Sequence, residues 1–169
     1  EGVGLLAASL KHMPDLRKLP LHGCRISDKG MASLCKALEY TPKLDTLDLS
    51  KNIIGDEGAV RYAVALKHVR RLTAVLLDEN AIGDRGTRAL AEALEGNRRI
   101  QTVNLSGNRA VSAAAATALK AAIGTMPGLE KLELEAGDAE GSEPEEPEEE
   151  EGVSLAELAA REPPKSTSP

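Results

Sequence analysis

The sequence predicts an α/β solenoid, a horseshoe arc with parallel strands on its concave face and helices on its convex face. Three observations predict it. First, Leu44–Arg71 and Leu72–Arg99 are two 28-residue units that align without a gap, Leu44 on Leu72, Leu47 on Val75, Leu49 on Leu77, Asn52 on Asn80 and Ile54 on Ile82. A fixed period of this length marks a repeat array. Second, each unit opens on apolar residues in alternation, the pattern of a short strand with one buried face. Third, each unit continues into apolar residues at i, i+4 and i+8, the pattern of a helix with one buried stripe. Helices are wider than strands are spaced, so stacking such units bends the array.

Taken in order, the first residues enter the register halfway. An offset of 28 carries Gly2 to Gly30, Leu6 to Leu34, Leu10 to Leu38 and Leu16 to Leu44. Residues 1–15 therefore read as the helix of a partial repeat, as expected for a fragment of a longer chain. Full repeats start at Leu16, Leu44, Leu72 and Ile100, and a last strand spans 129–134. The fourth unit holds one extra residue, placed in the Ala-rich stretch Ala110–Ala118.

Every unit opens as LRKLPL, LDTLDL, LTAVLL, IQTVNL or LEKLEL. The residues between the apolar positions face the other way. That row includes Lys18, Pro20 and His22, then Thr46, Asp48 and Ser50, then Ala74, Leu76 and Asp78, then Thr102, Asn104 and Ser106, then Lys131, Glu133 and Glu135. Three residues past the strand stands Cys24, Asn52, Asn80 or Asn108. A buried amide there can bond the backbones of neighbouring turns, and Cys24 is expected in the same inward slot as a small apolar substitute. Asp28, Asp56 and Asp84 precede Gly30, Gly58 and Gly86, where an Asp suits the N-cap of the following helix. The helices read GMASLCKALEY, GAVRYAVALKH and GTRALAEALEG, and end near Pro14, Pro42 and Pro127 or at Gly96 and Asn97. Cys35 aligns with Ala63 and Ala91 and is expected to be another buried small residue.

The resulting pattern, L-x-x-L-x-L-x-x-N/C-x-I-G-D-x-G-x-x-x-L-A-x-A-L, resembles the ribonuclease-inhibitor type of leucine-rich repeat over residues 1–134. The resemblance implies a leucine-rich repeat solenoid. It is compatible with ribonuclease inhibitors, immune receptors of the NOD-like class, Ran GTPase-activating proteins and ciliary or cytoskeletal scaffolds.

Charge divides the chain. Residues 1–134 hold 19 Lys and Arg against 15 Asp and Glu, whereas 135–169 hold 2 against 12. Segment 135–152, rich in Glu, Pro and Gly, is expected to be disordered. A short helix at 153–161 then gives way to a disordered tail that ends at 169. Lys43, Arg71 and Arg99 recur 28 apart, with Arg70 and Arg98 beside two of them, and form a basic edge that the acidic tail could meet.

No catalytic constellation emerges. His12, His22 and His68 lack a metal-ligand partner at helical spacing, and the glycines are periodic and not a phosphate loop. Two cysteines make no disulfide framework or zinc pattern. No apolar run is long enough to span a bilayer. With Tyr40 and Tyr62 the only aromatics, stacking on nucleic acid is not expected. No enzyme activity, cofactor, metal, small-molecule substrate, nucleic acid or membrane is therefore expected. The expected function is a monomeric, cytoplasmic or nuclear scaffold that binds a protein partner on its concave face. Its candidate contact residues are His22, Thr46, Asp48, Ala74, Leu76, Asp78, Thr102 and Asn104. The alternative is part of a GTPase-activating protein of the Ran regulator type.

Overall fold

The structure is a computed structural model and describes residues 2–95, 97–108, 111–124 and 126–134. The acidic segment 135–152 and the short helix expected at 153–161 lie outside the described residues. Helices and strands alternate: α1 (Gly2–Leu10), β1 (Lys18–Pro20), α2 (Asp28–Leu38), β2 (Thr46–Asp48), α3 (Asp56–Leu66), β3 (Ala74–Leu76), α4 (Asp84–Leu94), β4 (Thr102–Asn104), α5 (Ala113–Gly124) and β5 (Lys131–Glu133). The strands form one parallel sheet in chain order. The register matches the repeat, with Leu47 opposite Leu19 and Val75, and Val103 opposite Val75 and Leu132. Each helix packs on the next, α1 on α2 through α4 on α5. This is an α/β leucine-rich solenoid, as the periodicity predicts.

Each turn contributes a thin slice of core. Leu44, Leu47 and Leu49, then Leu72, Val75 and Leu77, then Ile100, Val103 and Leu105, are buried from their strands, and Leu34, Leu38, Leu66, Leu90, Leu94 and Leu119 from their helices. Each such side chain contributes about 1.5–3 kcal/mol of burial. Tyr62 stands where Leu34 and Leu90 stand in neighbouring units, and it too is wholly buried. Its hydroxyl finds no hydrogen-bond partner among the described residues. The two end turns are less covered, for Leu16, Leu21, Leu129, Leu132 and Leu134 are only half-buried.

The buried asparagines hold the turns together. Asn80 Oδ1 accepts from Ile54 N at 3.0 Å, and its Nδ2 donates to Leu49 O and Leu77 O at 3.0 Å. Asn52 makes the same set, accepting from Ile26 N at 2.9 Å and donating to Leu21 O and Leu49 O. Asn108 accepts from Ile82 N at 3.0 Å and donates to Leu77 O and Leu105 O. Each amide thus spans its own turn and the preceding one. The residue before each Asn takes the left-handed conformation, Lys51 (φ 56°), Glu79 (φ 51°) and Gly107 (φ 67°), as does Gly23 (φ 67°) before Cys24. Outside glycine that conformation costs about 1–2 kcal/mol, which the amide's bonds offset.

Cys24 departs from the expectation. It is exposed, and its thiol donates to His22 O at 3.5 Å. Its slot is closed by the preceding turn in later units, and no such turn precedes it among the described residues.

The aspartates also differ from the expected N-caps. The capping positions of α2, α3 and α4 are Ser27, Gly55 and Gly83, without a side-chain cap bond. Asp28 instead reaches sideways to the next helix, where its Oδ1 accepts from Gly55 N at 2.8 Å and Gly58 N at 3.0 Å. Asp56 does the same for Gly83 N and Gly86 N, both at 2.8 Å. Each carboxylate thereby satisfies free amides at the start of its neighbour. The close approach explains the glycines. A Cβ on Gly58 would lie 2.6 Å from Asp28 Oδ1, and one on Gly86 2.7 Å from Asp56 Oδ1. In the fourth unit Asp84 accepts from Ser112 N and Ser112 Oγ, both at 2.6 Å. Ala115 replaces the glycine there, and its N–H turns to Ser112 Oγ at 3.2 Å. The extra residue of this unit falls between Asn108 and Ser112, ahead of the helix.

Two substitution tests follow from these contacts. Asn80→Ala leaves Ile54 N without its acceptor and removes one of the two amide donors to Leu49 O and to Leu77 O, and should destabilise the fold by about 1–3 kcal/mol, whereas Cys24→Ala should change it by less than about 0.5 kcal/mol; urea unfolding measures both. Gly86→Ala should cost about 1–3 kcal/mol from overpacking. By contrast, Gly4→Ala, with open space around it, should stabilise α1 by about 0.5–1 kcal/mol.

Candidate interaction face

The strands bury every second residue and present the others on the far side of the sheet. Pairing sets these into rows. One row runs Lys18, Thr46, Ala74, Thr102, Lys131, and the next Pro20, Asp48, Leu76, Asn104, Glu133. The ladder continues past the strand ends, because Gly23 N donates to Ser50 O, Lys51 N to Asp78 O and Glu79 N to Ser106 O. A third row, His22, Ser50, Asp78, Ser106, therefore keeps the register. Adjacent residues within a row are set by the strand spacing of about 4.8 Å. The eight candidate residues thus lie in these three rows. Glu135 lies outside the described residues.

Thr46, Asp48, Ala74, Leu76, Asp78, Thr102 and Asn104 are half-buried, and His22 is exposed. Several are held in place. Ser50 N donates to Asp48 Oδ1 at 3.0 Å, and Ser50 Oγ donates to Asp78 Oδ1 at 2.6 Å. Asn104 Oδ1 accepts from Ser106 N and Ser106 Oγ. At the rim Lys131 pairs with Glu133 at 2.7 Å and Lys51 with Glu79 at 3.3 Å. Asp48 and Asp78 form no ion pair among the described residues. Leu76, between them, is the one large apolar side chain on the rows of the central strands. The face therefore offers fixed hydrogen-bonding groups around an apolar centre.

The helix side carries a feature that periodicity did not reveal. A groove of about 280 Å³ lies between α2 and α3, floored by Cys35, Val60, Val64 and Ala65 and rimmed by Lys36 and Arg61. Val64 is 56% exposed. The signal was present in the alignment, since Val64 occupies the position of Lys36 and Glu92 in adjacent units. Burial pushes the Cys35 thiol up to about 12, partly opposed by the Arg61 guanidinium. Burial also pushes the Tyr62 phenol up, with Cys35 adding to it. Among the described residues, no group of His, Cys, Asp or Glu could hold a metal ion, and no helix is long and apolar enough to cross a membrane.

A family model described as Leucine Rich repeat matches residues 12–35 and 41–61. The fold is that of a leucine-rich repeat protein. Solved structures that share it include the following two. One is leiomodin-1 actin-binding site 2, 19% identical, covering 78% of each chain with a TM-score of 0.70. The other is the tropomodulin C-terminal domain of Caenorhabditis elegans, 15% identical, covering 82% of this chain and 86% of that one with a TM-score of 0.70. No curated protein matches the sequence.

The two thiols of this leucine-rich repeat array should react at very different rates. At pH 8, iodoacetamide should label exposed Cys24 first. Cys35 should follow slowly, because its thiolate is scarce; peptide mass spectrometry resolves the two.

Proposed function

We propose that this leucine-rich repeat protein is a non-catalytic scaffold that binds a protein partner on its strand face. The single observation that carries the reading is the in-register surface itself. Its backbone is fixed by the sheet, its polar groups are held by neighbouring serines, and Leu76 stands at its centre. Such a surface presents a rigid set of contacts at low entropic cost, and large contacts near the centre of an interface dominate affinity. Thr46, Ala74 and Thr102 would contact the partner beside Leu76, with Asp48, Asp78, Asn104 and His22 supplying directional bonds.

Actin is the first partner to test, because one solved structure of this fold is leiomodin-1 actin-binding site 2. Binding of the full chain to purified monomeric actin should be measured for the wild type and for Leu76→Arg with Asp78→Lys, with thermal unfolding as the folding check. The paired variant should bind roughly 100-fold more weakly at unchanged Tm. Wild-type affinity in the variant would remove the strand face from the reading, and absence of wild-type binding would remove actin.

A further inference from the structure

We propose that Arg70, Arg71, Arg98 and Arg99 form a second interaction surface, which takes an acidic peptide segment in extended form. The four lie where α3 and α4 hand over to β3 and β4, and all are exposed. Each pair sits on a backbone pinned at both ends. Val69 and Leu72 are buried on either side of the first pair. Around the second pair, Asn97 Oδ1 accepts from Arg99 N at 2.8 Å and Ile100 N at 3.0 Å, and Ile100 is buried. The two loops are fixed side by side, for Gln101 N donates to Thr73 O at 2.7 Å and Thr102 N to the same oxygen at 3.2 Å. The arginines therefore form two columns, Arg70 with Arg98 and Arg71 with Arg99.

Other charges on this edge are already matched. Lys43 pairs with Asp15, whose carboxyl the ammonium holds below its usual range. Arg17 pairs with Asp45 at 3.2 Å. Arg71 reaches Asp45 only at 3.8 Å. Arg70, Arg98 and Arg99 form no ion pair among the described residues. Among the described residues, three guanidinium groups on a rigid frame thus keep free planar donor edges, which suit carboxylates in bidentate pairs.

Spacing and surroundings favour an acidic peptide over a polynucleotide. Neighbouring turns are separated by about 5 Å at the strands and about 8–10 Å at the helices. Carboxylates two residues apart on an extended chain are about 7 Å apart, so alternate acidic residues span the two columns. The patch is only two turns wide; Asp45 lies 3.8 Å from Arg71 on one side, and Gln101 and Glu130 pair on the next turn. It also lacks a stacking platform for bases. Tyr62 is buried, and Tyr40 lies on another turn with the Lys11 ammonium 5.4 Å from its ring centre.

The test uses the full chain and a fluorescein-labelled octaglutamate, read by anisotropy at low and at physiological ionic strength. The wild type should bind, and more weakly as salt rises. Arg70→Gln, Arg98→Gln and Arg99→Gln together should weaken binding at least about tenfold, as expected for loss of several charge-assisted pairs. The Lys versions should fall between, since they keep charge without the planar fork. Arg61, Arg85 and Arg88 changed together to Gln remove equal charge elsewhere and should have a much smaller effect. The proposal is overturned if the wild type does not bind, if the Gln variant binds as well as wild type, or if the Arg61, Arg85, Arg88 control loses as much. Tighter binding of an oligo-dT probe than of octaglutamate through the same arginines would also overturn it. None of these outcomes bears on the strand face.

Discussion

The interaction on which this fold rests is the buried side-chain amide that closes each turn. Asn52, Asn80 and Asn108 are 7%, 7% and 8% exposed, and each joins backbone groups of two turns. Strands of three residues pair through only a few ladder bonds. Without these amides, the carbonyls of Leu49 and Leu77, each of which accepts from two of them, and the N–H groups of Ile26, Ile54 and Ile82 would be buried without these partners. The left-handed residue that precedes each Asn turns its side chain inward, so a local backbone cost and a lateral hydrogen-bond network are one device. The apolar layers then pack around a spacing that these bonds have already set.

Much of this was legible in the sequence because the apolar period and the Asn position act within a single unit. The strand face was legible for the same reason, since alternation alone separates buried Leu47, Val75 and Val103 from Asp48, Leu76 and Asn104. What escaped depended on the neighbouring unit. Asp28 and Asp56 adjoin their own helix starts in sequence, yet they bond the starts of the next helices, as only lateral stacking reveals. The glycines at 58 and 86 carried the clue, because a strict lack of Cβ implies a close approach by another element. Cys24 was misplaced by the same omission. Its unit obeys the pattern, but the slot exists only where a preceding turn supplies its other wall. Lys51 and Glu79 concealed a left-handed position that Gly23 and Gly107 display.

The two faces of the array follow different logic. The sheet side derives order from the backbone, so its side chains vary without changing the frame. The helix side derives its order from side-chain packing, so substitution there reshapes the surface, as Val64 and Cys35 do in the groove between α2 and α3. Tyr62 shows the limit of that tolerance. Its ring fills the volume of a leucine site and more, and its hydroxyl is buried without a partner among the described residues, at a cost of about 1–3 kcal/mol. The loops that join helix to strand are governed by neither rule, and it is there that arginines accumulate.

The lateral bonds also govern how such a chain can change in length. Each unit carries an Asn that grips the turn before it and an Asp that grips the helix after it. Donor and acceptor of every junction thus belong to different units but to fixed positions within them. Gain or loss of one whole 28-residue unit leaves each junction matched, whereas most partial insertions would separate an Asn or an Asp from its target. The fourth unit shows where a smaller change is absorbed. Its single added residue falls between Asn108 and Ser112, downstream of the amide that meets Ile82 and upstream of the serine that meets Asp84, so both bonds survive the insertion.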